Sequence, residues 1–404
     1  MSLKNALGGI LLIVGTSVGA GVLALPIATA QLGFWGAAGF YVLCWIFMTI
    51  GALCILEANL SAGFGTNMIT MSEMFLGPIG KGLVWITYLI LFYALTASYL
   101  SGAAAWVKEY FSYLNIELPT QISALISTLG ILLIIVSGIR FTDWINRLLT
   151  IGLFVSFFIL SGITLNHIEP TRLFSETFEF LVSPLPLIIT AFGYAIVVPT
   201  LANYLHGRTK QLYGVILIGS AIPLVIYLLW EMIILGTLPL TGEVSLLSIQ
   251  NSGHPATELP KQLDLQLHHP GITLAMSYFS VFALFSSILG VCISLFDFLA
   301  DGLQIKKNKA GKTFLALITF MPPLVFVYFF PSGFSLALSF AGIFVSLLLG
   351  IFPALMVLRL IRKPSEKHRL GWIAQPWILR LTLCFFVGII LIECHNLYYV
   401  YHTL

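Results

Sequence analysis

The sequence predicts an all-α integral membrane protein with eleven transmembrane helices. Three observations carry that prediction. Only 9% of residues are charged, 59% are hydrophobic and the mean hydropathy is +1.00; a soluble chain of 404 residues needs far more polar surface. Residues 5–56 contain no Asp, Glu, Lys, Arg or His, and similar runs follow at 82–107, 118–139, 180–205, 212–230, 270–296 and 313–358. About 20 apolar residues span a bilayer, so the runs at 5–56 and 313–358 each hold two spans. Finally, of the 19 Lys and Arg, all but Lys108, Arg172 and Lys261 fall on one set of alternating loops. The positive-inside bias makes that set cytoplasmic, with the N-terminus inside and the C-terminus outside. The net charge of +3 therefore reports topology rather than affinity for nucleic acid.

The spans follow in order. Span 1, about 6–30, is interrupted by Gly15-Thr16-Ser17-Val18-Gly19-Ala20-Gly21 and then by Pro26. A backbone weakened in this way is tolerated in a membrane only against protein or a cavity. Glycine-interrupted spans are where secondary transporters hold substrate. Ala28-Thr29-Ala30 resembles a signal-peptidase site, but the run before it is too long for a signal core. Span 2, 34–59, ends beside Glu57. Span 3, 82–106, carries Tyr93, Thr96, Ser98, Tyr99 and Ser101. Spans 4 and 5 cover 121–139 and 147–166. Span 6, 184–205, repeats the interruption at Phe192-Gly193-Tyr194, followed by Pro199. Span 7, 212–236, carries Glu231; span 8, 272–299, carries Ser286, Ser287 and Asp297. Spans 9, 10 and 11 cover 314–331, 334–359 and 378–400. The longest loop, 237–271, holds a short helix near 243–250 and is either a cap over an outer vestibule or a passive connector.

The order of these features suggests an internal repeat. Glu57 follows Pro26 at nearly the distance at which Glu231 follows Pro199, with the two acids at opposite membrane sides. Inversion of five spans onto the next five produces that placement, although Gly and Pro are common enough in membrane helices for chance to be a rival. One transmembrane domain, 1–404, then comprises repeat one at about 6–166, repeat two at about 184–359 and an extra helix at 378–400.

Candidate sites follow from the breaks. Half-helix N-termini offer unpaired N–H groups to a carboxylate, and half-helix C-termini offer carbonyls to an ammonium or a cation. In span 1 the candidates are Thr16, Ser17, Gly19, Ala20 and Gly21; in span 6 they are Phe192, Gly193 and Tyr194. Close helix packing through small residues is the alternative. Tyr93 and Thr96 either line an aromatic pocket or bond between helices. Ser286 and Ser287 either help hold a sodium ion or bond back to their own helix. Glu57, Glu231 and Asp297 are coupling or gating candidates because intramembrane acids are rare; Glu393 lies outside the repeats and is expected to be peripheral. The five cysteines all fall in spans and are expected to act as small apolar fillers. No metal-ligand spacing, phosphate loop, nucleophile elbow or dinucleotide fingerprint is present, and His268-His269 has no companion ligands. No cofactor or metal is expected. An integral membrane enzyme and a channel are both disfavoured, the first by the missing catalytic cluster and the second by the missing filter segment.

Gly15-Thr16-Ser17-Val18-Gly19-Ala20-Gly21-Val22-Leu23-Ala24-Leu25-Pro26 resembles the opening helix of the bacterial hydroxy/aromatic amino acid permeases. The resemblance continues through Tyr93 to Gly102, Ile218 to Val225, Leu289-Gly290-Val291, Leu295 to Asp301 and Ile318 to Leu324. It is closest to tyrosine-transporting members. It implies a leucine-transporter-like fold with broken helices 1 and 6 and proton symport of an aromatic amino acid across a bacterial inner membrane. Tyrosine comes first, with tryptophan and phenylalanine as further candidates. A sodium-coupled symporter of the same fold is the runner-up. Three positions depart from the family pattern. Ala195 replaces a histidine, a span 5 lysine is replaced near Leu153, and Glu231 stands where relatives tend to carry an amide.

Overall fold

A computed structural model describes residues 3–63, 66–174, 182–206, 209–268, 270–306, 308–362, 371–373 and 375–403. Arg208, Lys307, Lys363, Lys367 and Arg369, assigned above to cytoplasmic segments, lie outside the described residues, as does His269.

The described residues form helices. Nine stretches are long and apolar enough to cross a membrane. The difference from eleven has two local causes. The break in span 1 leaves α1 (Leu3–Ser17) short, and the 3-10 turn Ala30–Leu32 joins α2 (Gly21–Thr29) to α3 (Gly33–Ala62), so Gly21–Ala62 forms one stretch. The helix α5 (Thr120–Val136) is apolar but also short.

Several of the remaining helices start earlier than the sequence reading places them. α4 runs Met68–Tyr113, starting well before span 3. Asn67 caps it by accepting from Thr70 N–H at 2.8 Å, and Gly77, at φ 81°, kinks it before Pro78. α6 begins at Ile139, two turns ahead of the predicted span 5. Span 6 is three pieces: α7 (Leu185–Ala191), a 3-10 turn at Gly193–Val197 and α8 (Val198–Tyr204). Beyond α9 (Thr209–Thr237), the long loop forms two helices instead of one, α10 (Leu246–Ser252) and α11 (Pro255–Leu267). Ser245 caps the first, left-handed Gly253 ends it, and Pro255 starts the second. α12 (Pro270–Gly302), α13 (Lys309–Phe329), α14 (Phe334–Val345), a π turn at Ser346–Ile351, α15 (Phe352–Leu360) and α16 (Pro376–Thr403) complete the bundle.

Two features of this packing position the site. The broken helix α1–α2 runs parallel to α9. Ile13 lies against Gly219, Ser17 against Tyr227 and Thr29 against Glu231. α10 and α11 pack on α2, where Ala28 alone is not buried, so this end of the broken helix is covered. Lys261 on α11 reaches Glu109 on α4 at 2.8 Å, and His254 Nε2 lies 3.1 Å from Ser332 Oγ. Of the cysteines, Cys44, Cys54 and Cys292 are buried, whereas Cys384 and Cys394 are exposed on α16. Glu393 is not peripheral. It is buried, and Ser339 Oγ of α14 donates to it at 2.6 Å.

Candidate substrate site at the helix breaks

Both breaks open onto one cavity of about 340 Å³, within the usual size range of small-molecule sites. Its wall comes from the end of α1 and the first break (Gly15, Thr16, Val18, Gly19), the second break (Thr190, Gly193, Ile196, Val197), α4, α6, α12, the end of α14 and the π turn. The cavity extends towards the end of the bundle that holds the start of α1. Asn146 and Thr150 of α6 and Ser294 of α12 line it there, and Gly15, Thr16 and Ser294 are exposed. On the other side of the breaks, Ala20 to Ile27 and Leu187 to Ile189 are buried. Access is therefore from one end.

No Asp, Glu, Lys, Arg or His lines this cavity. Its polar character comes from backbone at the breaks and from hydroxyls. At the first break, Ala20 N–H donates to Ser287 Oγ at 2.8 Å, and the first turn of α2 closes through Val22 N–H to Gly19 O at 3.1 Å and Leu23 N–H to Ala20 O at 3.2 Å. Ser286 Oγ donates to Ala283 O at 3.3 Å, and Thr16, Thr150, Thr190 and Ser294 each donate to their own helix. Asn146 Oδ1 has no hydrogen-bond partner. A wall of dipoles without a formal charge suits a net-neutral ligand that carries both a carboxylate and an ammonium.

The carbonyls at the two half-helix ends are engaged. Tyr227 Oη of α9 donates to Ser17 O at 2.7 Å and lies 2.9 Å from Ala191 O, so one hydroxyl hydrogen bridges both breaks. The sequence alone did not single out this residue.

The structure sorts the predicted site residues. Thr16, Gly19, Gly193, Ser286 and Ser287 line the cavity. Ser17 Oγ bonds back to Ile13 O, while Ala20 and Gly21 are buried behind the break. Phe192 and Tyr194, expected to shape an aromatic pocket, lie outside the cavity wall. Phe192 packs edge-on against Tyr227 with ring centroids 5.1 Å apart, and Tyr194 Oη is 2.9 Å from Thr49 Oγ1. Tyr93 donates to Ile318 O at 2.6 Å and Thr96 to Phe92 O at 2.7 Å, also outside it. The aromatic rings that do line the cavity are Phe92 and Tyr99, on the neighbouring face of α4. Glu57, Glu231 and Asp297 are absent from the wall. Among the described residues, no group of three or more His, Cys, Asp or Glu could hold a metal.

A family model described as the tryptophan/tyrosine permease family matches residues 2–395. A tryptophan-specific transport protein of Pseudomonas aeruginosa is 32% identical over 386 residues, 94% of this chain and 92% of the relative. Tyrosine-specific transport system 1 of Haemophilus influenzae is 33% identical over 343 residues, 84% of each chain. A tryptophan-specific transport protein of Shigella flexneri is 29% identical over 392 residues, 95% of this chain and 93% of the relative.

Proposed function

Because the chain belongs to the tryptophan/tyrosine permease family, we propose that it imports an aromatic amino acid, tyrosine first and tryptophan second, by proton symport across a bacterial inner membrane. The cavity at the two breaks carries this reading. Backbone at Gly19 and Gly193 faces the amino-acid head, and Phe92 and Tyr99 offer rings to its side chain. Ring-on-ring contact contributes roughly 0.5–1.5 kcal/mol beyond burial. The relatives named above for both tyrosine and tryptophan support the aromatic class and leave the order between the two to measurement.

The eleven-span, leucine-transporter-like arrangement with a five-plus-five inverted repeat is part of the same proposal. The two broken helices, α1–α2 and α7–α8, support it. With the N-terminus cytoplasmic, the cavity faces inward and α10 and α11 form the outer cap. Proton coupling falls to Glu231, the intramembrane acid tied to the broken helix. Ser286 Oγ donates to its own helix and Ser287 Oγ accepts one hydrogen, so each keeps a lone pair and the sodium alternative is decided by measurement. Competition against labelled tyrosine uptake tests the substrate class. Tryptophan and phenylalanine should compete and leucine should not; strong competition by leucine refutes the aromatic assignment.

A further inference from the structure

Glu231 is fully buried on α9, with no cation among its contacts. Tyr41 Oη of α3 donates to its Oε2 at 2.6 Å. Thr29 Oγ1, in the last turn of α2, lies 2.5 Å from its Oε1 and 2.7 Å from Leu25 O. Three oxygen–oxygen contacts at hydrogen-bonding distance need three hydrogens, and a hydroxyl carries one. Thr29 and Tyr41 supply two. The third must belong to the carboxyl.

A shared hydrogen is acceptable at Tyr227, whose acceptors are two neutral carbonyls. At Thr29 it would leave a buried anion without adequate donors, which is costly. The titratable groups around the site do not supply a charge. They are Tyr41 on α3 and Tyr227 one turn earlier on α9, with rings 6.5 Å apart. Arg172, on the 3-10 turn Pro170–Leu173 that packs on α9, is held by Glu169 at 2.8 Å and by the Thr237 carbonyl.

We infer that Glu231, Thr29 and Tyr41 form a proton-binding site, occupied in this conformation by a neutral Glu231 carboxyl, that latches α2 and α3 to α9. The hydrogens run from Glu231 Oε1 to Thr29 Oγ1 to Leu25 O, and from Tyr41 to Oε2. On proton loss, the carboxylate and the Leu25 carbonyl compete for the one Thr29 hydrogen, which loosens the last turn of α2. Tyr227 on the same helix face holds Ser17 and Ala191, so α9 joins the proton site to both substrate breaks. The inference rests on the symport reading for the role of the proton, but not for its presence.

The test is infrared difference spectroscopy of the full-length protein in liposomes across a pH step. The expected result is a carboxylic-acid C=O band in the wild type that shifts in D2O, disappears in Glu231→Gln and changes frequency in Thr29→Val. Gln keeps the shape and a donor towards Thr29, so this variant should remain folded. Carboxylate stretches that Glu231→Gln removes on the low-pH side of the step, with no carboxylic-acid C=O band removed there, would overturn the inference by showing a carboxylate at Glu231. Exchange of labelled tyrosine by the unmodified protein tests the transport reading separately, so the two can fail independently.

Discussion

A side chain at Gly19 meets Ser287 before it meets substrate. A Cβ built at Gly19 would lie 2.3 Å from Ser287 Oγ and 3.7 Å from Ser287 Cβ. The hydroxyl must rotate away, and rotation removes the acceptor of Ala20 N–H. Ala20 is fully buried, so the amide is left unsatisfied at a cost of about 1–3 kcal/mol. Ser287→Ala removes the same acceptor without a clash. The bond fixes the shape of the break, so its loss should appear as a roughly 5- to 150-fold fall in tyrosine kcat/KM in either Gly19→Ala or Ser287→Ala. The double variant removes nothing further and should match Ser287→Ala. Uptake at subsaturating tyrosine in matched proteoliposomes measures the cycle. Losses that multiply in the double variant would refute the reasoning, because the two residues would then act separately.

Gly193 makes the opposite prediction. A Cβ there meets nothing within 4 Å, because the position faces the cavity. Gly193→Ala should transport, whereas Gly193→Leu should insert normally and lose binding; equal activity of both would remove Gly193 from the site. Tyr227→Phe deletes the hydroxyl between Ser17 O and Ala191 O and should weaken substrate affinity by roughly the 1–3 kcal/mol of lost buried partners, read as Kd. Burial lowers the affinity of His254 for a proton from its ordinary 6.5, so the unfolded chain binds that proton more readily. Stability should therefore fall as pH drops below about 6.5, and His254→Asn should flatten that acid limb in thermal unfolding.

The breaks were legible because only particular residues permit them. Gly19 and Gly193 in otherwise apolar spans marked the places where backbone leaves the helix, and the structure puts both on the cavity wall. The face of α4 was not legible. Tyr93 and Thr96 share a helical face, as do Phe92, Leu95 and Tyr99, and periodicity does not say which one turns inward. Asn146 fell outside the predicted span 5 because Arg140 and Arg147 read as loop residues, yet both lie within α6. Tyr227 and the partners of Glu231 were invisible for a different reason. Their contacts join residues far apart in sequence, such as Thr29 with Glu231, and hydrophobic pattern carries no such pairing. Ala195 shows the limit of resemblance. It marks a missing family histidine, but the buried acid tied to the broken helix, Glu231, sits on α9.

Uptake of labelled tyrosine into proteoliposomes, with pH and sodium gradients imposed separately, tests the central claim most directly. Accumulation driven by an inward proton gradient, and indifferent to sodium, is the predicted result. Accumulation that requires sodium and ignores pH would contradict proton symport and move the coupling site away from Glu231.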